Sequence, residues 1–267
     1  MPTRQSLAYS DSGGSDKPAI LLLHGFLGCK EDWEEIAVSL QTDFRVIGLD
    51  LPGHGESLDL DGSSYSVSGV AHLVLQTLDY LKVPRCHLVG YSMGARIALY
   101  LAVHFPERFA RVVIESGSAG LATEAEREAR RSQDAKLAQK LRSIPLSKFL
   151  AEWYDQPLFH TIKRDQARFE DLLGRRLKGH AAELALALGG LGTGSQPFLG
   201  SELAGLPHEI LFAAGALDQK YTELAKGLGR LCAHGTAWVV PGAGHALHFE
   251  QPVAYIDRLK LFLTEGK

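Results

Sequence analysis

The sequence predicts an α/β fold with a mostly parallel, doubly wound sheet and an inserted helical cap. Three observations predict this class: short apolar runs alternate with amphipathic helical segments, several of those runs are apolar throughout, and a long middle stretch lacks the alternation. Strands without polar positions are typical of a parallel sheet that is covered on both faces. Repeated alternation of strand and helix indicates that helices cover both faces of that sheet.

The strand predictions rest on the short apolar runs. We expect strands at residues 19–23, 44–49, 86–90, 109–114, 209–213 and 237–240. We expect helices between and after them, at residues 31–40, 67–81, 95–104, 222–231 and 255–263. In the first helix Trp33, Ile36 and Leu40 form one apolar stripe, which is typical of an amphipathic helix packed on a sheet.

The middle of the chain shows no convincing strand between about residue 120 and residue 201. Helical patterns cover residues 124–141, 168–177 and 181–188, residues 149–159 are rich in aromatic side chains, and residues 189–194 are predicted to be a loop. We therefore predict a core of residues 1–118 and 202–267 and a helical cap of residues 119–201. Such a cap would cover the carboxyl edge of the sheet, where open α/β sheets bind their ligands.

Length and charge restrict the class of protein further. The chain has 267 residues with 45% hydrophobic and 22% charged residues, enough for one large core with an insertion and short for two domains. A formal net charge of −3 provides no electrostatic footprint for nucleic acid, so we expect no nucleic-acid partner. The sequence does not determine the oligomeric state, although a monomer is compatible with it.

The cysteines and the start of the chain indicate a compartment. Cys29, Cys86 and Cys232 are odd in number and far apart, which argues against a disulfide framework and a zinc site. We expect free thiols in a reducing compartment. Residues 1–15 are polar, without the apolar segment of a secretion signal, and the longest apolar runs are too short to span a membrane. A cytoplasmic protein without a membrane span is therefore expected.

A Gly-Tyr-Ser-Met-Gly sequence at residues 90–94 carries the strongest functional signal. It lies between a predicted strand and a predicted helix, which is the context that a nucleophile elbow requires. In such an elbow the serine, here Ser92, lies on a very tight turn, so the neighbouring positions tolerate little beyond glycine. The turn raises the hydroxyl above the sheet at the positive end of the following helix.

The His-Gly-Phe-Leu-Gly sequence at residues 24–28 follows the first strand, where half of an oxyanion hole is expected. We predict that the backbone N–H groups of Phe26 and Met93 are the two donors, because fixed donors stabilise a developing oxyanion without reorganising. The side chain of His24 is interpreted as structural. Residues 51–57, which include His54, are likewise interpreted as a structural turn.

Two candidate partners of Ser92 each follow a late strand. Asp218 comes after the strand at 209–213, and His245 comes after the strand at 237–240. The order of serine, acid and histidine along the chain is that of one known class of catalytic triad. A loop aspartate alone is usually just solvent-exposed, but three strand-end residues in this order favour a triad. His248 and Asp257 are nearby competitors that we assign to the region of the last helix.

Together these motifs resemble the α/β-hydrolase superfamily over essentially the whole chain. The resemblance is closest to the 2-succinyl-6-hydroxy-2,4-cyclohexadiene-1-carboxylate synthases of menaquinone and phylloquinone biosynthesis. It rests on residues 24–28, Asp32, Trp33, and residues 51–57, 90–96, 153–157 and 242–245. The Ser-Met-Gly-x-Arg run and the Trp-Tyr-x-Gln-Pro run are the specific ones. The chain departs from the family at residues 118–121, where family members often carry Pro-Gly-Leu.

The resemblance implies a lyase that eliminates pyruvate from 2-succinyl-5-enolpyruvyl-6-hydroxy-3-cyclohexene-1-carboxylate. It implies a small polycarboxylate substrate and no metal or organic cofactor. Ser92, deprotonated by His245, would then act as a base toward a substrate C–H group.

Arg96 has a physical argument of its own. It lies four residues after Ser92, and so about one helical turn further on. A guanidinium group binds a carboxylate through two charge-assisted hydrogen bonds, which suits a substrate with several carboxylates.

The resemblance adds further substrate-binding residues. It implies that Arg130 and Arg176 supply two more clamps and that Tyr91 and Trp153 line the pocket. Charged helix faces are usually just solvated, and the alignment leaves alternatives open. Arg127 or Arg131 could take the place of Arg130, and Arg175 that of Arg176.

Two other functions are compatible with the same motifs. A serine carboxylesterase or carbon–carbon bond hydrolase would use Ser92 as a nucleophile and pass through an acyl-enzyme. A non-catalytic protein of this fold would bind a ligand without turnover. Arg96 beside a complete triad favours the lyase over both.

Overall fold

Within residues 7–264, which the computed structural model describes, seven strands form one sheet in the order β1-β3-β2-β4-β5-β6-β7. The strands are β1 (Tyr9–Asp11), β2 (Ala19–Leu23), β3 (Arg45–Leu49), β4 (Cys86–Tyr91), β5 (Phe109–Glu115), β6 (Glu209–Gly215) and β7 (Gly235–Val240). All neighbours from β3 to β7 pair in parallel, as the apolar runs predicted. Only β1, a short and partly exposed edge strand, is antiparallel and was not predicted.

Ten helices accompany the sheet in this described part of the chain. They are α1 (Glu34–Leu40), α2 (Val67–Tyr80), α3 (Met93–His104), α4 (Glu124–Ser143), α5 (Leu146–Tyr154), α6 (Gln166–Arg176), α7 (Ala181–Leu191), α8 (Gln219–Leu231), α9 (Leu247–Glu250) and α10 (Pro252–Thr264). Each core helix that the sequence predicted is present, with ends shifted by a few residues.

The buried apolar side chains form one cluster on each face of the sheet. Val70 and Val74 of α2, Ala98 of α3 and Leu228 of α8 belong to one cluster. On the opposite face, α1 and α10 contribute to a second cluster, which is centred on Trp33, Ile36, Leu40, Tyr255 and Leu259. The sheet is therefore doubly wound, as the sequence predicted.

Two core elements differ from their predictions. The first predicted helix begins as a 3₁₀ turn at Lys30–Trp33, and α1 itself begins at Glu34. His248 lies in the separate short helix α9 and does not enter the last helix, which begins at Pro252. Proline is well suited to the first turn of a helix because its missing N–H has no partner there in any case.

Helices α4 to α7 lie between β5 and β6 and have an apolar cluster of their own. Leu141, Phe149, Leu172 and Leu184 pack together, and the core contributes Leu27 and Ala246 to the same cluster. The predicted loop at 189–194 is wrong in its first half because α7 continues to Leu191, which is buried in the core. The cap boundaries 119–201 remain a prediction, and residues 1–6 of the predicted core lie outside the described residues.

Among the helices of residues 7–264, none combines the length and the apolar character needed to cross a membrane.

Candidate active site

Ser92 lies between the end of β4 and the start of α3 with φ 52° and ψ −105°. This left-handed φ is costly for a residue with a side chain and marks a strained turn. A Cβ atom on Gly90 would lie 2.4 Å from the Gly94 carbonyl oxygen, and one on Gly94 would lie 2.2 Å from the Leu23 carbonyl oxygen. Both glycines are therefore required by close backbone contacts, as the elbow motif predicted.

The structure places His245 within hydrogen-bonding distance of both Asp218 and Ser92. His245 Nδ1 lies 2.7 Å from Asp218 Oδ2, and His245 Nε2 lies 3.2 Å from Ser92 Oγ. With its proton on Nδ1, the imidazole donates to Asp218 and leaves Nε2 free to accept the serine hydroxyl. Both His245 and Asp218 are buried, which limits competition from water.

Additional contacts fix the acid and the imidazole. Asp218 Oδ1 accepts a hydrogen bond from the Tyr221 N–H at 3.3 Å and thereby caps α8. The His245 ring packs between two tyrosine rings, with centroid distances of 4.7 Å to Tyr221 and 5.5 Å to Tyr91. The competitors do not bond to Ser92: His248 lines the smaller cavity but bonds to the buried Glu115, and Asp257 lies on α10.

The two residues predicted to supply the oxyanion donors border the cavity at the serine. Phe26 and Met93 line the same cavity as Ser92, and the turn after Phe26 places Leu27 at φ 68°. One buried histidine holds this turn, and a second holds the segment that follows β3. His54 Nε2 accepts the Leu27 N–H at 3.1 Å, and His24 Nε2 accepts the Leu51 N–H at 3.0 Å.

Both histidines are structural, as interpreted from the sequence. Burial lowers the pKa of His24 and, together with the nearby His24 ring, lowers the pKa of His54 to about 3. Each ring is therefore neutral near pH 7 and can accept a backbone N–H.

Two cavities meet at Ser92, and Phe26, Trp153 and Phe159 also line both. The larger, of about 220 Å³, is lined by the cations Arg96, Arg130 and Lys220. The smaller, of about 50 Å³, is lined by Tyr91 and by Asp32 with Arg176. The serine hydroxyl thus faces a cationic chamber on one side and an aromatic pocket with an internal ion pair on the other.

Arg96 lies on the first turn of α3 and borders the larger cavity, as predicted. Its Nη2 donates to the Leu191 carbonyl at 2.8 Å and its Nη1 to Gln196 Oε1 at 3.4 Å. Burial, assisted by the nearby charge of Arg130, lowers the pKa of Arg96 to about 10. The guanidinium therefore remains charged near neutral pH. Within residues 7–264 it makes no hydrogen bond to a carboxylate.

The structure distinguishes the three candidate arginines of α4. Arg130 lines the larger cavity, and its Nε donates to the buried Asp134 at 2.8 Å. Arg127 and Arg131 instead pair with the exposed carboxylate of Glu124 on the surface. Arg130 is therefore the α4 arginine whose guanidinium borders the cavity.

Arg176 and Arg175 at the end of α6 also differ. Arg176 is buried and lines the smaller cavity, whereas Arg175 is partly exposed and borders an outer groove, although its Nε also donates to Asp32 Oδ1 at 3.1 Å. Arg176 donates two hydrogen bonds to Asp32 and one to the Tyr154 hydroxyl. Although burial alone would raise it, the pKa of Asp32 is held well below its usual range by Arg176.

Three residues of this site were not predicted from the sequence. Asp32 belongs to a motif of the family resemblance, but its role as the main partner of Arg176 was not predicted. Lys220 and Tyr221 border the larger cavity directly after Asp218. Their position just past a strand that ends in a candidate catalytic acid was the signal available, since the carboxyl edge of the sheet collects such residues.

Comparisons with known proteins agree with this architecture. A family model described as the alpha/beta hydrolase fold matches residues 18–252. A 2-succinyl-6-hydroxy-2,4-cyclohexadiene-1-carboxylate synthase from Serratia proteamaculans is 34% identical over 94% of this chain and 95% of its own. The enzyme of the same name from Citrobacter koseri is 33% identical over 96% of this chain and 98% of its own.

Solved structures are similar over the same length. MenH from S. aureus superposes with a TM-score of 0.92 at 28% identity, covering 96% of this chain and 98% of that one. A thermophilic esterase from Thermogutta terrifontis gives a TM-score of 0.84 at 25% identity, covering 96% of this chain and 92% of that one.

Proposed function

The chain belongs to the 2-succinyl-6-hydroxy-2,4-cyclohexadiene-1-carboxylate synthase family of the α/β-hydrolase fold, and on this premise we propose that it is a carbon–oxygen lyase. The substrate is 2-succinyl-5-enolpyruvyl-6-hydroxy-3-cyclohexene-1-carboxylate, and the products are the family's named compound and pyruvate. The observation that carries the proposal is the pair of cavity arginines, Arg96 and Arg130, beside the hydroxyl of Ser92.

Ser92 acts as a base in this proposal. His245 takes the proton of the hydroxyl, Asp218 stabilises the resulting imidazolium, and the serine oxygen removes a proton from the substrate ring. Substrate and product names place that proton on the ring carbon that bears the succinyl ketone. The C–H electron pair enters the ring, the existing double bond shifts, and the C–O bond to enolpyruvate breaks. The serine hydroxyl is thereby restored, the imidazolium of His245 gives up its proton, and the released enolpyruvate anion takes a proton on carbon and becomes pyruvate.

The oxyanion donors have a defined task in this reaction. Removal of a proton next to a ketone moves negative charge onto the ketone oxygen, as in an enolate. The backbone N–H groups of Phe26 and Met93 would accept that charge without reorganisation. Such donors contribute most in a site that excludes water, and the cavity lies between the core and the helices of the predicted cap.

Charge complementarity supports the substrate. It carries three carboxylates: one on the ring, one at the end of the succinyl chain and one on the enolpyruvyl group. Arg96, Arg130 and Lys220 border the larger cavity and are available to such groups. An esterase with an apolar substrate has no comparable use for a guanidinium such as that of Arg96, which borders the cavity and is hydrogen-bonded only to neutral oxygens among the described residues, since burying a charge without an opposite charge is costly.

The test is release of pyruvate from the enolpyruvyl substrate, followed with lactate dehydrogenase and NADH. We expect turnover by the wild-type protein and a loss of at least about 10³-fold in Ser92→Ala. Arg96→Ala should lose substrate affinity, while Arg127→Ala, a surface arginine outside the cavity, should behave as wild type.

The same variants distinguish the hydrolase. An acyl-enzyme mechanism predicts burst kinetics with activated esters, no pyruvate above the Ser92→Ala background, and little effect of Arg96→Ala. These results would contradict the lyase proposal and indicate that the protein is an ester hydrolase.

A further inference from the structure

The short segment that carries His245 is held in place by side chains from outside it. The Gly244 N–H donates to Glu250 Oε2 at 2.8 Å, and the Ala246 N–H donates to Glu250 Oε1 at 3.1 Å. From the end of β5, Ser116 Oγ donates to the His245 carbonyl at 2.7 Å. Three successive residues around the imidazole thus have a backbone group bound by a side chain.

This segment needs such partners because it is neither helix nor strand. It connects the end of β7 to α9, and residues 243–246 are buried. Buried backbone N–H groups without a ladder or helical partner must be satisfied by side chains or water. A carboxylate is the strongest acceptor available for them, because hydrogen bonds to an ionised group are shorter and stronger than neutral ones.

The carboxylate of Glu250 spans the backbone on both sides of His245. The two oxygens of one carboxylate bind the N–H groups immediately before and after the histidine, so the orientation of this peptide segment is tied to a single side chain. Gly244 permits the close approach: a Cβ atom there would lie 2.1 Å from Thr161 Oγ1 and 3.2 Å from Glu250 Oε1. Across residues 7–264, Glu250 makes no ion pair with lysine or arginine.

We propose that Glu250 is a positioning residue that holds His245 at the distance from Ser92 and Asp218 that proton transfer requires. It does not touch the reacting atoms. It acts through the backbone on the imidazole, whose Nε2 lies 3.2 Å from the serine oxygen. The proposal rests on the lyase activity above, although the geometry of the histidine can be measured without turnover.

Small displacements in such a site are costly for the rate. A shift of about 1 Å in a catalytic group can reduce turnover by about 10²-fold, with little effect on substrate affinity. Glu250→Ala should therefore lower kcat by about 10- to 100-fold and leave KM within about twofold. Glu250→Gln keeps one acceptor oxygen but presents an NH₂ group to the second N–H, so its kcat should be intermediate.

The experiment combines kinetics with proton NMR of the same variants. The downfield resonance of the His245 Nδ1 proton reports its hydrogen bond to Asp218, and it should shift or broaden in Glu250→Ala. Glu107→Ala is the matched control, because Glu107 is an exposed glutamate in the turn before β5 at the opposite edge of the sheet. Its kcat and its resonance should equal those of the wild type.

A normal kcat and an unchanged resonance in folded Glu250→Ala would overturn the proposal. If that variant does not fold, Ser116→Ala carries the test: it removes the third anchor and should lower kcat by about threefold to tenfold. An unaltered Ser116→Ala then counts against the proposal. If the wild type itself releases no pyruvate, the proposed lyase activity is wrong. The role of Glu250 is then still decided by the His245 resonance and by the rate at which a serine-directed phosphonate inactivates the protein.

Discussion

Asp32 and Arg176 form a buried, two-bond ion pair between the core and the helices inserted after β5. Arg176 Nη1 lies 2.9 Å from Asp32 Oδ1, and Nη2 lies 2.6 Å from Asp32 Oδ2. Asp32 belongs to the 3₁₀ turn before α1, and Arg176 ends α6. The arginine that the family resemblance implied as a substrate clamp is therefore also a connection between the two parts of the protein.

The first prediction concerns the stability of this pair. Arg176→Met leaves the Asp32 charge buried without its main partner and should lower the free energy of unfolding by about 3–5 kcal/mol. The double variant Asp32→Asn/Arg176→Met should recover most of that loss, because both charges are gone. Urea denaturation near pH 7 measures both. Equal losses in the single and double variants would mean that the pair contributes through shape and not through charge.

A second prediction separates the arginines of α4. Arg130→Ala should raise KM for the polycarboxylate substrate by about 10- to 100-fold, since a hydrogen-bonded charged group contributes about 1.5–3 kcal/mol. Arg127→Ala removes a similar side chain that pairs with Glu124 outside the cavity, so its KM should stay within about twofold of wild type. Steady-state pyruvate release gives both values. A larger increase of KM in Arg127→Ala than in Arg130→Ala would mean that Arg127, and not Arg130, binds the substrate carboxylate.

The third prediction concerns the backbone of the elbow. In Gly94→Ala the new methyl group would lie 2.2 Å from the Leu23 carbonyl oxygen, so β2 and α3 must separate. We expect a loss of about 3 kcal/mol in unfolding free energy and a large fall in kcat. Gly227→Ala on α8 is the control, because its methyl group has no atom within 4 Å.

Gly227→Ala should stabilise the protein by about 0.5–1 kcal/mol, as expected for alanine in place of glycine in a helix. Thermal unfolding, followed by circular dichroism, compares the stabilities of the two glycine variants with that of the wild type. A stable, fully active Gly94→Ala protein would contradict the contact with Leu23.

The fourth prediction is a pH dependence of stability. The pKa of His54 falls from 6.5 to about 3 on folding, because burial and the adjacent His24 disfavour its charged form. Between about pH 6.5 and pH 3, the His54 imidazole is protonated in the unfolded chain but neutral in the folded protein. The free energy of unfolding therefore decreases as the pH falls through this range. When the pH is lowered from about 7.5 to about 4.5, His54 alone should reduce the free energy of unfolding by about 3 kcal/mol.

His54→Gln retains an acceptor for the Leu27 N–H and removes the titration. Its urea midpoint should therefore change less between the two pH values than that of the wild type, with the exposed His72→Gln as control. A His54→Gln protein with the full wild-type pH dependence would assign the effect to other groups.

Much of the fold and the central residues of the site could be predicted because their signals are local. Short apolar runs indicated buried strands, and β2 is indeed buried at every position. Gly90 is required by a contact within the turn itself, and Asp218 and His245 each follow a strand. The edge strand β1 was not predicted because three partly exposed residues carry no such pattern.

The sequence by itself determined the alternation of strands and helices, the elbow at Ser92 and the strand-end order of its two partners, because periodicity and tight turns are properties of neighbouring residues. Only the tertiary structure decided that Arg130 faces the cavity while Arg127 and Arg131 do not. It also decided that Arg176 is bound to Asp32, 144 residues away. The direction in which a charged side chain points depends on how its helix packs, and packing is set by contacts between distant parts of the chain.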